Sequence, residues 1–125
     1  MNQEDKELLL KDLCARLPYR VKCKVTKRSI DGEMLFIRNG LELTIYNVKA
    51  LVTNNMYGVK PYLFPFSSMT DEQKKEYQYI TERWMYDSSY SISDSTDWLN
   101  ENYIDYRGFT EKGLAIDATG LNIYC

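Results

Sequence analysis

The stretch that most limits what this chain can fold into runs from Val59 to Gln73, V-K-P-Y-L-F-P-F-S-S-M-T-D-E-Q. Pro61 and Pro65 lack a backbone N–H, and each biases the residue before it toward extended geometry. Proline is disfavoured inside a helix or a central strand, so this segment is predicted to run extended along a surface or a sheet edge. Tyr62, Leu63, Phe64 and Phe66 give it four large apolar groups to press onto a core. Thr70 then offers a helix N-cap, and Gln73 three residues on completes a capping box. Met69 stands where a hydrophobic staple begins. The stretch divides a β-rich first half from a helical second half.

Ahead of it, Leu9, Leu13 and Leu17 recur at helical spacing, with Leu10 widening the stripe and Glu4, Asp5 and Glu7 suiting the positive N-terminal end. A helix is predicted over about Gln3 to Arg16, stopped by Pro18. The alternation V-K-C-K-V from Val21 reads as a half-buried strand. Asp31-Gly32 and Asn39-Gly40 are both dipeptides that favour two-residue type I′ hairpin turns. Both turns place Val21, Cys23, Val25, Met34, Phe36, Leu41, Leu43 and Ile45 on one buried face. Lys22, Lys24, Thr26, Arg28, Glu42, Thr44 and Tyr46 take the other. Leu35 and Ile37 also fall on that polar face, which predicts a cover over part of it. Val48 to Val52 reads as a short fourth strand before a turn at Asn54-Asn55.

After the proline segment, Thr70 to about Met85 is predicted to be helical, with Tyr77, Ile80 and Trp84 facing inward. Asp87 to Ser93 reads as a serine-rich loop, and Asp94 or Ser95 as the cap of a short helix carrying Trp98, Leu99 and Tyr103. Gly108, Gly113 and Gly120 break the tail into short pieces. The expected fold is one α+β domain over residues 1–125: an N-terminal helix, an antiparallel meander of three to four strands with a small barrel as its closed variant, and two C-terminal helices.

The chain contains no histidine. That removes the commonest general base near neutral pH, the Ser-His and Cys-His nucleophile pairs and the commonest transition-metal ligand. No enzymatic activity, cofactor or metal is expected. Cys14, Cys23 and Cys125 are odd in number and form no C-x-x-C pair, which fits reduced thiols rather than a disulfide framework. Cys14 and Cys23 read as small core residues. No apolar run approaches the ~20 residues that cross a bilayer, and the charged start, M-N-Q-E-D-K-E, is unlike a secretory signal. The expected setting is cytoplasmic, away from the membrane.

Charge is unevenly spread. Arg16, Arg20, Lys22, Lys24, Lys27 and Arg28 fall in one run with no acid, whereas Thr70 to Tyr106 holds nine acids against Lys74, Lys75 and Arg83. On a strand face, Lys22, Lys24 and Arg28 can track phosphates or an acidic partner; a solvated face is the plainer reading. Eleven tyrosines exceed what a small core needs, and tyrosine is favoured at interfaces. The expected binding surface comprises Arg20, Lys22, Lys24, Lys27, Arg28, Tyr62, Tyr106 and Arg107. Asp94, Asp97 and Glu101 share a helical face, where capping and the helix dipole account for them without a site. Asp105-Tyr106-Arg107-Gly108 is read as a turn in which Arg107 meets a carboxylate.

Three blocks carry a resemblance: K-D-L-C-A-R-L-P-Y-R-V-K-C from Lys11, V-K-P-Y-L-F-P-F-S-S-M-T from Val59, and W-L-N-E-N-Y-I-D-Y-R-G-F-T-E-K-G-L-A-I-D-A-T from Trp98, together 47 of the 125 residues. They resemble a group of short uncharacterised proteins of Bacteroides-type gut bacteria, often carried in prophages and other mobile elements. Arg20 departs from the pattern, which has glycine after the Pro-Tyr pair. The resemblance implies an accessory role in a bacterial or phage cytoplasm and brings no activity or catalytic residue with it. The leading expectation is a non-enzymatic protein acting through a protein partner; the alternative is a nucleic-acid-associated module using the basic strand face.

Overall fold

Helix α1 occupies Gln3–Arg16, started by the Asn2 side chain, which accepts the Asp5 N–H at 2.7 Å. A single 3-10 turn carries the chain through Leu17–Tyr19, and Arg20 then takes the left-handed conformation at φ 58°. The tight turn forms although arginine stands where glycine is the easy choice. In the computed structural model, residues 2–54, 56–86 and 92–124 are described. The side chain of Trp84, the Asp87–Ser91 part of the expected loop, Asn55 and Cys125 lie outside that description.

Strand β1 (Lys22–Arg28) pairs antiparallel with β2 (Met34–Glu42) on one side and with β3 (Tyr57–Leu63) on the other. A two-residue strand β4 (Ile116–Asp117) adds parallel to the end of β3, giving the order β2-β1-β3-β4. The fold is α+β as expected, but the sheet is open and mixed rather than an all-antiparallel meander or barrel.

The first hairpin forms at Asp31-Gly32, with Lys27 opposite Phe36 as the register required and a shift at the next pair, Arg28 opposite Met34. Asn39-Gly40 makes no hairpin. Strand β2 runs through it, and the register jumps from Val25–Arg38 to Cys23–Leu41 with Gly40 at φ 68°, a bulge built on a left-handed glycine. In consequence the expected strand ending at Ile45 stops at Glu42, leaving Ile45 and Leu41 exposed and Leu43 buried. The expected strand at Val48–Val52 is instead helix α2 (Ile45–Thr53), capped by a reciprocal Thr44–Asn47 box. Its buried residues, Val48 and Leu51, stand at helical spacing.

Pro61 is the second correction, for it lies buried in an interior strand opposite Cys23. The Arg28 N–H donates to the Met56 carbonyl, and followed at period two this makes Cys23–Pro61 a non-hydrogen-bonded pair. The Pro61 nitrogen therefore points away from β1, and no ladder bond is lost. One position further, where Lys22 and Tyr62 should bond directly, the Tyr124 hydroxyl stands between them. It accepts the Lys22 N–H at 2.9 Å and donates to the Tyr62 carbonyl at 2.7 Å.

Leu9 and Leu13 of α1 lie against Val21, Cys23, Val25, Val59 and Leu63 of the sheet, joined by Val48, Leu51 and Phe109. Full burial of each large aliphatic contributes roughly 1.5–3 kcal/mol. The expected cap on α3 (Asp71–Tyr86) is present in both halves, Gln73 N–H to Thr70 Oγ1 at 3.1 Å and Thr70 N–H to Gln73 Oε1 at 3.0 Å. Met69 packs with Tyr77 and Ile80 onto Trp98, Leu99 and Ile104. Trp98 and Leu99 belong to α4 (Ile92–Glu101), which starts before Asp94 and Ser95, so neither is its cap. Tyr103 lies beyond the helix at φ 59°. Cys14 is exposed, not a core residue, whereas Cys23 is buried.

Candidate binding site on the open sheet face

The expected surface residues do not form one surface; they divide into three groups. Tyr106 and Arg107 belong to a buried network. The Asp12 carboxylate accepts Arg16 Nε at 2.9 Å and Arg107 Nε at 3.0 Å, and Arg16 Nη2 donates to the Ile104 carbonyl at 2.7 Å. Both guanidiniums lie over the Tyr106 ring, at 5.1 and 5.0 Å from its centre. Arg107 thus meets a carboxylate as expected. Arg16, counted in the basic run, is wholly enclosed.

A second group is committed locally. Lys22 Nζ donates to the Ile123 carbonyl at 2.9 Å, and the Tyr62 hydroxyl donates to Asn39 Oδ1 at 3.4 Å from a buried ring. Arg20 stands outside the sheet, 3.8 Å from Glu42. Lys27 lies opposite Phe36 and Tyr57, at the margin of the sheet face that α1 and α2 cover.

Lys24 and Arg28 remain on the uncovered face, and the sheet adds a residue that the sequence reading missed. Lys60 of β3 stands directly opposite Lys24 of β1. Like charges directly opposite on one sheet face oppose folding, and among the described residues neither ammonium has an ion pair or side-chain hydrogen bond. Arg28, about 13 Å further along β1, donates to the Gly32 carbonyl at 3.2 Å. Thr26 lies between them opposite Gly58, where an added Cβ would sit 2.6 Å from Thr26 Oγ1. That glycine lets the hydroxyl settle onto the strand. Leu35 and Ile37 of β2 share this face at 55% and 43% exposure, so the cover expected over them is not there.

Beside the lysines a pocket of about 280 Å³ opens, lined by Lys24, Thr26, Arg28, Lys60, Leu114 and Ile116, with Leu9 and Val59 at its inner side. Three cations and no acid border it. The arrangement suits a ligand with both negative charge and apolar groups, since charge alone would not need the aliphatic wall.

Burial pushes the Cys23 thiol up to about 12, so it stays protonated, donating to the Leu41 carbonyl at 3.4 Å. Among the described residues no three His, Cys, Asp or Glu side chains gather as a metal site. No helix of the described residues is long and apolar enough to cross a membrane. No protein-family model, curated protein or solved structure matches this chain.

Proposed function

We propose that this protein is a non-enzymatic binding module that receives an acidic segment of a protein partner on its open sheet face. The observation that carries the reading is the Lys24–Lys60 pair, two cations opposite each other with no counter-charge among the described residues. Such a pair opposes folding on its own, and an anion bound between the two ammonium groups would offset that cost. A protein partner is favoured over a nucleic acid because the exposed Leu35 and Ile37, with Ile116, border the same cations. A phosphate backbone offers nothing for those groups to contact. An accessory role in a bacterial cytoplasm or mobile element is supported by the three sequence blocks described above.

The test is fluorescence anisotropy with labelled polyglutamate and with a 20-base-pair DNA duplex, each titrated at several salt concentrations. Polyglutamate is expected to bind, and the Lys24→Gln/Lys60→Gln variant to bind it at least tenfold more weakly. Preference for DNA with a steep salt slope, lost in the same variant, would replace this reading with the nucleic-acid one.

A further inference from the structure

On the open face the Lys24–Lys60 pair is followed by a pair that carries one small side chain between two residues, Thr26 opposite Gly58. The Arg28 N–H bonded to the Met56 carbonyl sets the phase of the ladder, which makes both of these hydrogen-bonded pairs. Cα atoms in such a pair stand about 5.5 Å apart, so the two lysine side chains can converge on one anion. The register of β1 with β3 is unbroken from Cys23 to Lys27, so Gly58 marks no bulge. Glycine inside a regular strand is found where another group approaches closely. Here that group is the Thr26 hydroxyl, which stands 2.6 Å from where a Gly58 Cβ would be and so leans from β1 toward β3. Thr26, Lys24 and Lys60 all line the same pocket. Among the described residues none of their three side-chain donors has a hydrogen-bond partner.

We infer that the acidic group received here is a phosphorylated side chain of the protein partner, its phosphoryl held by Lys24 and Lys60 with Thr26 Oγ1 donating to it. A carboxylate brings one negative charge and two oxygens, which leaves one of the two ammonium groups uncompensated. A phosphoryl monoester carries a charge of about −1.5 to −2 at pH 7 and three strong acceptor oxygens. It matches two ammonium groups in charge and, with the hydroxyl, three donors in number. A nucleic-acid phosphodiester carries a single charge and matches neither. The exposed Leu35 and Ile37 lie beside the site for residues flanking the phosphoryl, a contact that free phosphate cannot use. This inference rests on the acidic-partner reading and names the anion.

The experiment is fluorescence anisotropy with three labelled peptides, Ac-Ile-Ala-X-Ala-Ile-amide, in which X is phosphoserine, glutamate or serine. The phosphoserine peptide is expected to bind at least tenfold more tightly than the glutamate peptide, and the serine peptide not measurably. From pH 7.5 to 5.5 the phosphoserine peptide should weaken at least threefold, because its second pKa is about 6, and the glutamate peptide less than twofold. The charged groups bordering the pocket are Lys24 and Arg28 from β1 and Lys60 from β3, with none from β2 or β4. The chain has no histidine to titrate in that range. Thr26→Val, which keeps the β-branched shape, should weaken the phosphoserine peptide at least fivefold and the glutamate peptide less than twofold. Equal binding of the phosphoserine and glutamate peptides would overturn the phosphoryl assignment and leave the acidic-partner reading intact, as would binding of polyglutamate with neither peptide. Tighter binding of the DNA duplex than of the phosphoserine peptide would overturn it in favour of a nucleic acid. No binding of polyglutamate or of any of the peptides would remove both.

Discussion

Asp12→Ala is expected to lower the unfolding free energy by about 3–5 kcal/mol, the usual penalty for leaving one member of a buried ion pair behind. Asp12 is the sole carboxylate touching Arg16 among the described residues, and both side chains are 0% exposed. Arg16 already has one nitrogen, Nη1, without a protein partner among the described residues, so it has no reserve of hydrogen bonds to draw on. Arg107, at 22% side-chain exposure, can turn to water when Asp12 is lost; Arg16 cannot. Since small domains are stable by only ~5–15 kcal/mol, the variant should unfold at much lower denaturant concentration. Replacing both partners with apolar groups, as in Asp12→Leu/Arg16→Met, should recover more than half of the loss. An unfolding free energy for Asp12→Ala within 1 kcal/mol of wild type, by urea titration followed by circular dichroism, would show that the network is not enclosed.

Tyr124→Phe is the second large effect, at roughly 1–3 kcal/mol, because it strips partners from two main-chain groups at once. The Lys22 N–H and the Tyr62 carbonyl meet through this hydroxyl. Its ring is stacked on Tyr103 at 3.8 Å and 9°, and Tyr103 in turn donates to the Tyr19 carbonyl at 2.6 Å. The phenylalanine keeps the stack and loses only the bridge. Burial, the largest influence, pushes the Tyr124 phenol well above its ordinary value. The neutral form is the one that folds, so its contribution is full below the unfolded value of about 10 and declines as pH rises beyond it. The gap in stability between wild type and Tyr124→Phe should accordingly be constant from pH 6 to 9 and narrow above pH 10. A gap that widens in alkali would contradict the bridge.

How much of this was legible in the sequence depended on whether the deciding contact was local. The α1 stripe, the Asp31-Gly32 turn and the Thr70–Gln73 box are each settled within a few residues, and each is found. Asn39-Gly40 carries the same left-handed glycine signal for a hairpin and for a bulge, and only the strand beyond it decides. Strand β1 extends to Lys22, which draws β2 past the dipeptide to Glu42. At Val48–Val52 the apolar run argued for a strand, yet Thr44, Asn47, Val48 and Leu51 held a cap and a helical spacing that could have been read.

The site itself was half visible. Lys24 and Arg28 follow from the alternation in β1, but Lys60 lay in the proline segment, whose pairing partner the sequence does not reveal. Asp12 and Arg16 at i, i+4 look like any surface pair; Ile104 and Tyr106, far along the chain, bury them. Nothing near Tyr124 indicates that its hydroxyl completes a ladder 102 residues away.

On the proposed function, Lys24 and Lys60 oppose each other for the sake of an anionic partner. Thermal unfolding of Lys60→Gln, with and without polyglutamate, tests it in one measurement. Without polyglutamate, relief of the repulsion should raise the midpoint by about 1–4 °C, from a cross-strand term of roughly 0.2–1 kcal/mol. With polyglutamate in excess, the wild type should gain stability by mass action and the variant should gain almost none. A midpoint that falls in Lys60→Gln, or a polyglutamate-induced rise of equal size in both proteins, would contradict the claim.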